Sequence, residues 1–383
     1  MKLRIGILGT RGIPNHYGGF ECFAEYLSQG LVERGHELYV YNSHNHPNQQ
    51  SGWNNVKIVH CYDPEYRFGS FGQFWYDLNC IRDARKRNFD VLLFLGYTSS
   101  SVWGMLYPKK PVIIYNMDGF EWKRTKYSRP IQRFLKYAEK LAVRYSDFIV
   151  ADSKHVQEYI SDKYKLKPAY IAYGADIFEE PDESLIWPFH LTDRSYNMVM
   201  ARMEPENNIE MVLNGYHNSE AAHDMIIVGS TQNKFGTYLK NKYAGDGRIR
   251  FLGAIFDRQV INNLIYHSNL YFHGHSVGGT NPSLLEAMGS KALIVAMDNV
   301  FNRSVLSSNA FYFTTPAEVT DYANLLTRNE LHQSMIESNA RTIREKYNWP
   351  GIVDAYEKFF LDCHSSLYPA TNDPKALLLR NEA

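Results

Sequence analysis

The chain has 383 residues, in which 41 lysine and arginine residues balance 41 aspartate and glutamate residues. Hydrophobic residues make up 44% of the sequence and charged residues 21%, which is ordinary for a globular protein and excludes a collagen-like or low-complexity chain. The length favours two domains or one large α/β unit.

Short β-branched runs alternate with helical patterns through the first half of the chain. Such alternation is typical of parallel β-α-β units with helices on both faces of a sheet. The pattern predicts strands over 3–8, 37–42, 56–60, 90–95, 111–115, 147–151 and 169–172, and helices over 19–34, 70–87, 129–145 and 153–164.

An acidic, proline-containing segment over residues 179–193 predicts a linker. A second α/β series follows it, and we expect two successive doubly wound domains with a ligand between them at the carboxyl ends of the strands. The strands are predicted over 197–201, 225–229, 249–252, 269–272, 292–296 and 310–313, and the helices over 207–216, 232–243, 257–266, 282–289, about 316–346 and, after Pro350, about 351–365.

The sequence carries no pattern of membrane insertion or secretion. Its longest apolar stretches, such as residues 91–95, fall far short of the roughly 18–20 residues that a spanning helix needs. Residues 1–9 are too short and too interrupted by glycine for a secretory signal. The four scattered cysteines form no Cys-x-x-Cys pair, which favours a reduced environment. We therefore expect a cytoplasmic protein.

The balanced charge hides a contrast between the two halves. Residues 1–170 hold 24 basic and 16 acidic residues, and residues 171–383 hold 17 and 25, which gives net charges of +8 and −8. In the predicted helix 129–145, five basic residues share one face, which fits an anionic membrane or a diphosphate-bearing partner. A solvated face over the core is the alternative. The five are Arg129, Arg133, Lys136, Lys140 and Arg144.

The loop after the first predicted strand is rich in glycine. The spacing of Gly6, Gly9 and Gly12 is not the G-x-G-x-x-G of a dinucleotide-binding turn, which disfavours an NAD-dependent dehydrogenase. The loop runs through Gly18 and Gly19 to a predicted helix start, where backbone N–H groups can bind a diphosphate. A surface loop with turn glycines is the alternative.

Two acidic residues follow the strand predicted over 111–115. Asp118 and Glu121 lie at the carboxyl end of that strand, where ligands of α/β proteins bind. Either carboxylate could position or deprotonate a hydroxyl nucleophile. A charged loop that is solvated on one side is the alternative.

An arginine follows the first strand of the second series. From this position the planar guanidinium of Arg202 can clamp phosphate oxygens. A structural ion pair of Arg202 with Glu204 or Glu206 is the alternative. Asn207 is a plausible N-cap of the helix that follows.

The densest signal runs from His273 to Gly289. Glycines, hydroxyls and an amide lead into a helix with Pro282 in its first turn, and the backbone donors there suit a phosphate. Glu286 lies on the loop side of this helix and could accept hydrogen bonds from two ribose hydroxyls. His273 and His275 share one face of a strand, but no cysteine or third histidine is near, which disfavours a metal site.

These motifs, in this order, resemble glycosyltransferase family 4 with the GT-B fold, an α/β architecture of two doubly wound Rossmann-like domains facing a central cleft. The resemblance covers the chain to about residue 365. The family-wide motifs are R-x-x-P-E at 202–206, V-G at 228–229, R-I-R-F-L-G at 248–253 and L-L-E-A-M at 284–288. Those that resemble a bacterial rhamnosyltransferase-like subgroup are residues 9–14, 17–21, 118–124 and 278–286.

The resemblance implies a retaining, metal-independent glycosyltransferase without a cofactor. Such an enzyme would transfer rhamnose or a related hexose from a nucleotide-diphosphate sugar to an oligosaccharide on a polyprenyl diphosphate, in surface polysaccharide biosynthesis. The acceptor domain would span residues 1–180, rejoined by the helix 351–367, and the donor domain residues 195–350. The enzyme would be cytoplasmic and peripheral to the inner face of the plasma membrane through its basic face 123–144, with no nucleic acid as partner.

The resemblance also implies roles for single residues. The catalytic residues would be Asp118, Glu121 and Arg202, with Arg202 neutralising the departing diphosphate and Glu286 holding the ribose. The residues expected to bind the donor are Gly18, Gly19, Arg202, Gly229, His275, Gly279, Thr280, Asn281, Ser283 and Glu286. The sequence departs from the family pattern at Met117, Asn207, Gly278 and Ser304, where the family often has His, Lys, Glu and Glu.

Two other functions are compatible with the motifs. One is a nucleotide-sugar 2-epimerase of the same GT-B shape, which needs no acceptor. The other is a non-catalytic module that binds a sugar nucleotide within an assembly complex.

Overall fold

The structure is a computed structural model that describes residues 1–117, 119–124 and 126–369. The chain divides into two compact units. The first unit contains residues 1–117, 133–171 and 349–369, and the second contains residues 119–124, 126–132 and 172–348.

The strands and helices are numbered in chain order through both units. The strands are β1 (Arg4–Leu8), β2 (Glu37–Ser43), β3 (Gly52–Trp53), β4 (Val56–Cys61), β5 (Val91–Leu95), β6 (Val112–Met117), β7 (Phe148–Ala151), β8 (Ala169–Tyr170), β9 (Tyr196–Met200), β10 (Asp224–Val228), β11 (Ile249–Gly253), β12 (Tyr271–His273), β13 (Ile294–Met297) and β14 (Phe311–Phe313). The helices are α1 (Gly19–Glu33), α2 (Glu65–Phe68), α3 (Gly72–Ala84), α4 (Arg129–Tyr145), α5 (Lys154–Tyr164), α6 (Ile209–His217), α7 (Lys234–Lys242), α8 (Arg258–Tyr266), α9 (Pro282–Gly289), α10 (Val300–Leu306), α11 (Pro316–Leu325), α12 (Gln333–Lys346) and α13 (Trp349–Leu367).

The first unit is built on an eight-stranded sheet of order β3-β4-β2-β1-β5-β6-β7-β8. All neighbouring strands are parallel except the pair β3 and β4. Every residue of β5 is buried, as expected of a strand covered on both faces. The chain fills the sheet on one side of β1 before it returns to β5 on the other side. The carboxyl ends of β1 and β5 are therefore the switch point at which such sheets bind ligands.

The second unit is built on a parallel six-stranded sheet of order β11-β10-β9-β12-β13-β14. Its core includes Ile227, Phe272 and Val295, which are buried on three different strands. The chain leaves β9 for one side of the sheet and resumes on the other side with β12. The carboxyl ends of β9 and β12 thus form the switch point of this unit.

The predicted linker was wrong, because residues 179–193 are folded into the second unit. Ile186 is fully buried, and the backbone N–H of Asp182 donates to the Asn263 side chain over 2.7 Å. Its acidic residues and prolines indicate a linker, but buried side chains such as Ile186 pack it against the rest of the second unit.

The boundary between the two units also differs from the predicted one. The crossing that corresponds to it lies between residues 171 and 172, before the predicted end of the first domain at 180. Residues 119–124 and 126–132 also group with the second unit, so another crossing falls inside α4. Over the described residues the first unit then carries 21 basic and 17 acidic residues, and the second 18 and 21. The charge contrast shrinks to +4 against −3.

Most predicted elements are present, and α4 and α9 have the bounds that were predicted. The short helices α2 and α10 and the strand β3 were not predicted. Helix α13 begins at Trp349, before the predicted start, because a proline is tolerated in the first turn of a helix. In the described part of the chain, no helix combines the length and the apolar character needed to cross a bilayer.

Helix α13 is fastened to α1 within the first unit. The Trp349 ring stacks on Tyr26 with centroids 4.2 Å apart. A Cβ atom on Gly30 would lie 2.8 Å from the Val353 side chain, so the two helices approach closely there. Arg34 at the end of α1 forms an ion pair with Glu357 over 3.2 Å.

Replacing Trp349 with alanine should lower the free energy of unfolding of the full chain by about 3 kcal/mol, because a large buried side chain leaves a cavity. Urea denaturation measures this change. Trp187, which is 59% exposed, is the matched control, and its alanine variant should stay within about 0.5 kcal/mol of the wild type. Equal stability of the Trp349→Ala variant and the wild type would show that α13 is not needed to stabilise the first unit.

Candidate functional site

The loops that follow β9 and β12 lock together at the switch point of the second unit. A Cβ atom on Gly274 would lie 2.3 Å from the Asn207 carbonyl oxygen, so only glycine allows this approach. The backbone N–H and the hydroxyl of Ser276 donate to the Glu206 carbonyl oxygen over 3.1 and 2.8 Å. The Asn208 side chain donates to the Gly274 carbonyl over 2.8 Å. The two loops therefore form one rigid edge.

A buried charge cluster lies beside these loops. The Glu206 side chain has no exposed surface and forms an ion pair with Arg124 over 3.3 Å. Arg124 also pairs with Glu121 over 2.6 Å, and Lys126 pairs with Glu204 over 3.0 Å. The acidic residues that were alternative partners for the arginine at the end of β9 are thus paired with the segment 121–126.

The arginine at the end of β9 is left available for a ligand. Arg202 is exposed, and its guanidinium makes no hydrogen bond or ion pair with any residue that the structure describes. The Asn207 side chain donates to the Arg202 carbonyl over 2.8 Å and so holds the turn that carries it. Asn207, which stands where the family often has lysine, therefore acts on the backbone here and adds no charge.

The glycine-rich loop after β12 ends in the well-formed N-terminus of α9. The Asn281 side chain accepts hydrogen bonds from the backbone N–H and the hydroxyl of Ser283, over 3.2 and 2.8 Å. Thr280 is buried in the loop. A Cβ atom on Gly119 would lie 2.8 Å from the Gly278 Cα, so the segment after β6 packs directly on this loop. The end of α9 is a terminus at which backbone dipoles favour an anion.

Glu286 on α9 carries a carboxyl group whose pKa is raised. Desolvation raises the pKa of Glu286 to about 7, against the attraction of Arg258 and with a further contribution from Asp176. Its carboxyl oxygens make no hydrogen bond to residues within the described ranges. Such a group can accept hydrogen bonds from ligand hydroxyls once it is ionised.

The two histidines of this loop stack on each other as neutral rings. The ring centroids of His273 and His275 lie 4.4 Å apart with an angle of 14° between the planes. Burial lowers the pKa of His273 to about 3, and burial also lowers the pKa of His275. The side chains of Asn299 and Asn302 donate to the His275 carbonyl over 3.0 and 3.1 Å. The described residues contain no group of three side chains arranged to ligate a metal ion.

Other predicted donor-binding residues lie at loop and helix ends. Gly229 has a φ of 152°, and a Cβ atom there would lie 2.1 Å from the Ala201 carbonyl oxygen, so it shapes the loop after β10 next to Arg202. Gly18 and Gly19 belong to the first unit, where Gly18 precedes α1 and Gly19 opens it.

The structure describes only one of the two predicted acidic catalytic residues. Asp118 lies outside the described residues. The Glu121 carboxylate forms an ion pair with Arg124 over 2.6 Å.

Three departures from the family pattern have simple structural settings. Gly278 has a φ of 138°, and no atom lies within 4 Å of the Cβ position, so the backbone conformation favours glycine there. Ser304 is exposed, and its hydroxyl donates to the Phe301 carbonyl of its own helix over 2.7 Å. Met117 is buried at the end of β6.

The first unit contains a cavity of about 310 Å³ that the sequence analysis missed. It lies at the carboxyl ends of β1, β2 and β4. Arg11 forms two hydrogen bonds with Glu65, of 2.8 and 2.9 Å, and stacks over the Tyr17 ring at 3.8 Å. Polar and aromatic residues follow each of these strands in the sequence. The sequence does not show that the three strands are neighbours in the sheet, so it did not indicate that these residues line one cavity. The lining includes Arg11, His16, Tyr17, His46, Asp63 and Tyr66.

Residues 2–176 match a family model described as a domain of unknown function (DUF1972). A search of curated proteins found no match to the sequence.

Solved structures show the fold. The chain is similar to sucrose-phosphate synthase from Thermosynechococcus elongatus, with a TM-score of 0.76 and 13% identity over 95% of this chain and 100% of that one. It is also similar to Anabaena HepE in complex with UDP and glucose, with a TM-score of 0.72 and 16% identity over 94% and 100%. The catalytic domain of starch synthase IV from Arabidopsis thaliana, bound to ADP and acarbose, gives a TM-score of 0.70 and 12% identity over 95% and 100%. The prediction of an α/β GT-B fold is confirmed.

A methyl group at residue 274 should separate the two loops of the second unit. We expect Gly274→Ala to lower the free energy of unfolding by about 1–3 kcal/mol, since it forces a backbone shift in a close-packed edge. Gly247→Ala is the matched control, because nothing lies within 4 Å of its Cβ position, and its stability should be unchanged or slightly raised. Urea denaturation that shows no difference between the two variants would contradict the close contact.

Proposed function

We propose that the protein is a glycosyltransferase that uses a nucleotide-diphosphate sugar as donor. The observation that carries the proposal is the exposed guanidinium of Arg202 at the switch point of the second unit, which pairs with no described residue and lies on a loop that is hydrogen-bonded to the one leading into α9. Transfer of the sugar leaves negative charge on the departing diphosphate, and preorganised positive groups stabilise that charge. HepE and starch synthase IV, which share the fold, have been solved with UDP and with ADP.

The other donor contacts follow from the same loops. Backbone N–H groups between Gly279 and Ser283, with Thr280 and Asn281, would bind the phosphates at the N-terminus of α9. Glu286 would accept hydrogen bonds from the ribose hydroxyls, and His275 would line the sugar side. Gly229 would give the nucleotide room by keeping the loop after β10 close to β9.

The first unit would supply the acceptor side. Its cavity combines aromatic faces, which suit the apolar faces of sugar rings, with the carboxylate of Asp63 and the guanidinium of Arg11. Gly18 and Gly19 at the start of α1 would add backbone donors for the diphosphate. Asp118 would position the acceptor hydroxyl, while Glu121 would keep Arg124 in place.

The finer assignment follows the motif resemblance. The donor sugar would be rhamnose or a related hexose, and the acceptor an oligosaccharide on polyprenyl diphosphate, in surface polysaccharide biosynthesis at the inner face of the plasma membrane. The bond from the anomeric carbon to the phosphate oxygen would break with its electron pair on the phosphate. The acceptor oxygen would bond to the same face of the sugar, its proton would pass to the phosphate, and no metal would be required.

A screen of nucleotide sugars by thermal shift tests the proposal directly. One of dTDP-rhamnose, UDP-glucose and GDP-mannose should raise the melting temperature, because a ligand that binds only the folded state adds stability. No shift with any nucleotide sugar would contradict the proposal. If the protein converts the active donor to a nucleotide sugar with a changed sugar when no acceptor is present, product analysis would identify an epimerase instead.

Removing the unpaired guanidinium should weaken donor binding. We expect Arg202→Ala to lower the affinity for the nucleotide diphosphate about tenfold to hundredfold, as for loss of a charge-assisted hydrogen bond. Arg341, an exposed arginine on α12, is the matched control, and Arg341→Ala should bind like the wild type. Calorimetric titration that gives equal affinities for both variants would refute the placement of the diphosphate.

The raised pKa of Glu286 makes nucleoside binding depend on pH. Ribose hydroxyls donate to the ionised carboxylate, which forms as the pH rises through about 7, so affinity should increase between about pH 6 and pH 8. Glu286→Gln should bind more weakly and lose this part of the pH dependence. Ionisation of the nucleotide phosphates affects both proteins alike, so only the difference between their titration curves counts. Parallel curves would show that Glu286 does not contact the ribose.

A further inference from the structure

Exposed aromatic side chains cover one face of the first unit, where α3 begins beside α4. Phe71 is 75% exposed, and Phe68 and Trp75 are each 58% exposed. The ring centroids are 6.2 Å apart for Phe68 and Trp75, 6.3 Å for Phe71 and Phe74, and 5.8 Å for Phe74 and Phe134. We call these five residues the aromatic patch.

Local backbone packing produces the aromatic patch. A Cβ atom on Gly72 would lie 2.3 Å from the Glu65 nitrogen, so the glycine lets α2 fold back against the start of α3. Phe71 and Trp75 are four residues apart at the start of α3 and therefore share one face. Large apolar side chains gathered in one exposed patch mark an interaction surface.

The surroundings of the aromatic patch are positively charged. Arg133, Lys136 and Lys140 are exposed on α4 next to Phe134. The one acidic residue of α4, Glu139, is buried and paired with Lys163 over 2.6 Å. Residues 66–76 contain no acidic residue. The described surface around the aromatic patch thus presents cations without neighbouring exposed carboxylates from these two segments.

We propose that this surface docks on an anionic phospholipid bilayer. Aromatic rings at the level of the headgroups and basic side chains against lipid phosphates are the combination that holds a protein at such an interface. A second copy of the chain fits less well, since it would bring the same positive charges face to face. The surface is narrower than the basic face 123–144, because Arg124 and Lys126 are paired with glutamates of the second unit.

The inference goes beyond the transfer reaction, because it uses no residue of the donor site. It supplies the membrane contact that a lipid-linked acceptor requires, but vesicle binding is measured without any nucleotide sugar. Failure of this proposal and failure of the proposed function are therefore separate results.

Sedimentation of the full chain with lipid vesicles tests the proposal. The wild type should bind vesicles of phosphatidylcholine with a quarter phosphatidylglycerol, bind pure phosphatidylcholine weakly, and be released by salt. Two double variants, Phe71→Ser with Trp75→Ser and Arg133→Glu with Lys140→Glu, should each reduce partitioning about tenfold or more. Trp187→Ser, and Lys234→Glu with Arg341→Glu, alter exposed residues of the second unit and should bind like the wild type.

Quenching by brominated lipid checks that the patch itself enters the interface. Quenching of the wild-type tryptophan fluorescence should fall in the Trp75→Phe variant, which keeps an aromatic ring and should still bind. Equal binding to neutral and anionic vesicles, or full binding by both double variants, would overturn the proposal. A dimer in size-exclusion chromatography that Phe71→Ser with Trp75→Ser dissociates, without vesicle binding by the wild type, would assign the patch to a second copy.

Discussion

The buried carboxylate of Glu206 is the constraint on which the candidate site depends. A carboxylate without exposed surface is costly unless a cation compensates it, and removing that cation leaves an unpaired buried charge. Arg124, 82 positions earlier in the chain, provides the nearer cation at 3.3 Å, and Lys126 of the same segment lies at 3.9 Å. Arg202 makes no hydrogen bond or ion pair with the described residues and so stays available to a ligand. The backbone carbonyl of Glu206 also holds Ser276, so the same residue ties the loop after β12 to the loop after β9.

Close backbone packing turns these loops into a rigid frame. Gly274 and Gly229 allow approaches to neighbouring carbonyl oxygens that any side chain would prevent. The side-chain amides of Asn207 and Asn302 donate to backbone carbonyls of the two loops, those of Arg202 and His275. The functional groups that remain, a guanidinium, a helix N-terminus and a carboxyl with a pKa near 7, are therefore presented by a frame that needs little reorganisation when a nucleotide diphosphate binds.

Much of the secondary structure could be predicted because it depends on residues that are close together in the sequence. Apolar periodicity defines α4, Asn281 and Pro282 mark the start of α9, and β-branched runs define the parallel strands. The order of the strands depends on contacts between distant segments, so the cavity beside Arg11 was missed. The pairing of Glu206 with Arg124 joins distant segments and could not be chosen over a pair with Arg202. Residues 179–193 were misassigned as a linker because their average composition is polar. A few buried side chains such as Ile186 nevertheless pack this segment into the second unit.

The charge balance illustrates the same limit. Division of the sequence at residue 170 suggested a basic first domain and an acidic second one, but the structural units are only weakly opposed. Residues 119–132 bring four basic residues into the second unit, and two of these neutralise its own glutamates. The positive charge that could meet a membrane is local to α4 and is defined by its neighbours.

Calorimetric titration of the nucleotide diphosphate tests whether Arg124 neutralises Glu206 and so leaves Arg202 to the ligand. It is carried out on the Arg124→Gln variant and on the double variant Arg124→Gln with Glu206→Gln. We expect the single variant to bind weakly, because Glu206 loses its ion pair with Arg124, keeps only Lys126 at 3.9 Å among the described cations, and then competes for Arg202. We expect the double variant to recover most of the affinity, because the competing charge is gone. Wild-type affinity in the single variant, or equally weak binding in both folded variants, would contradict the claim that Arg124 acts by neutralising Glu206.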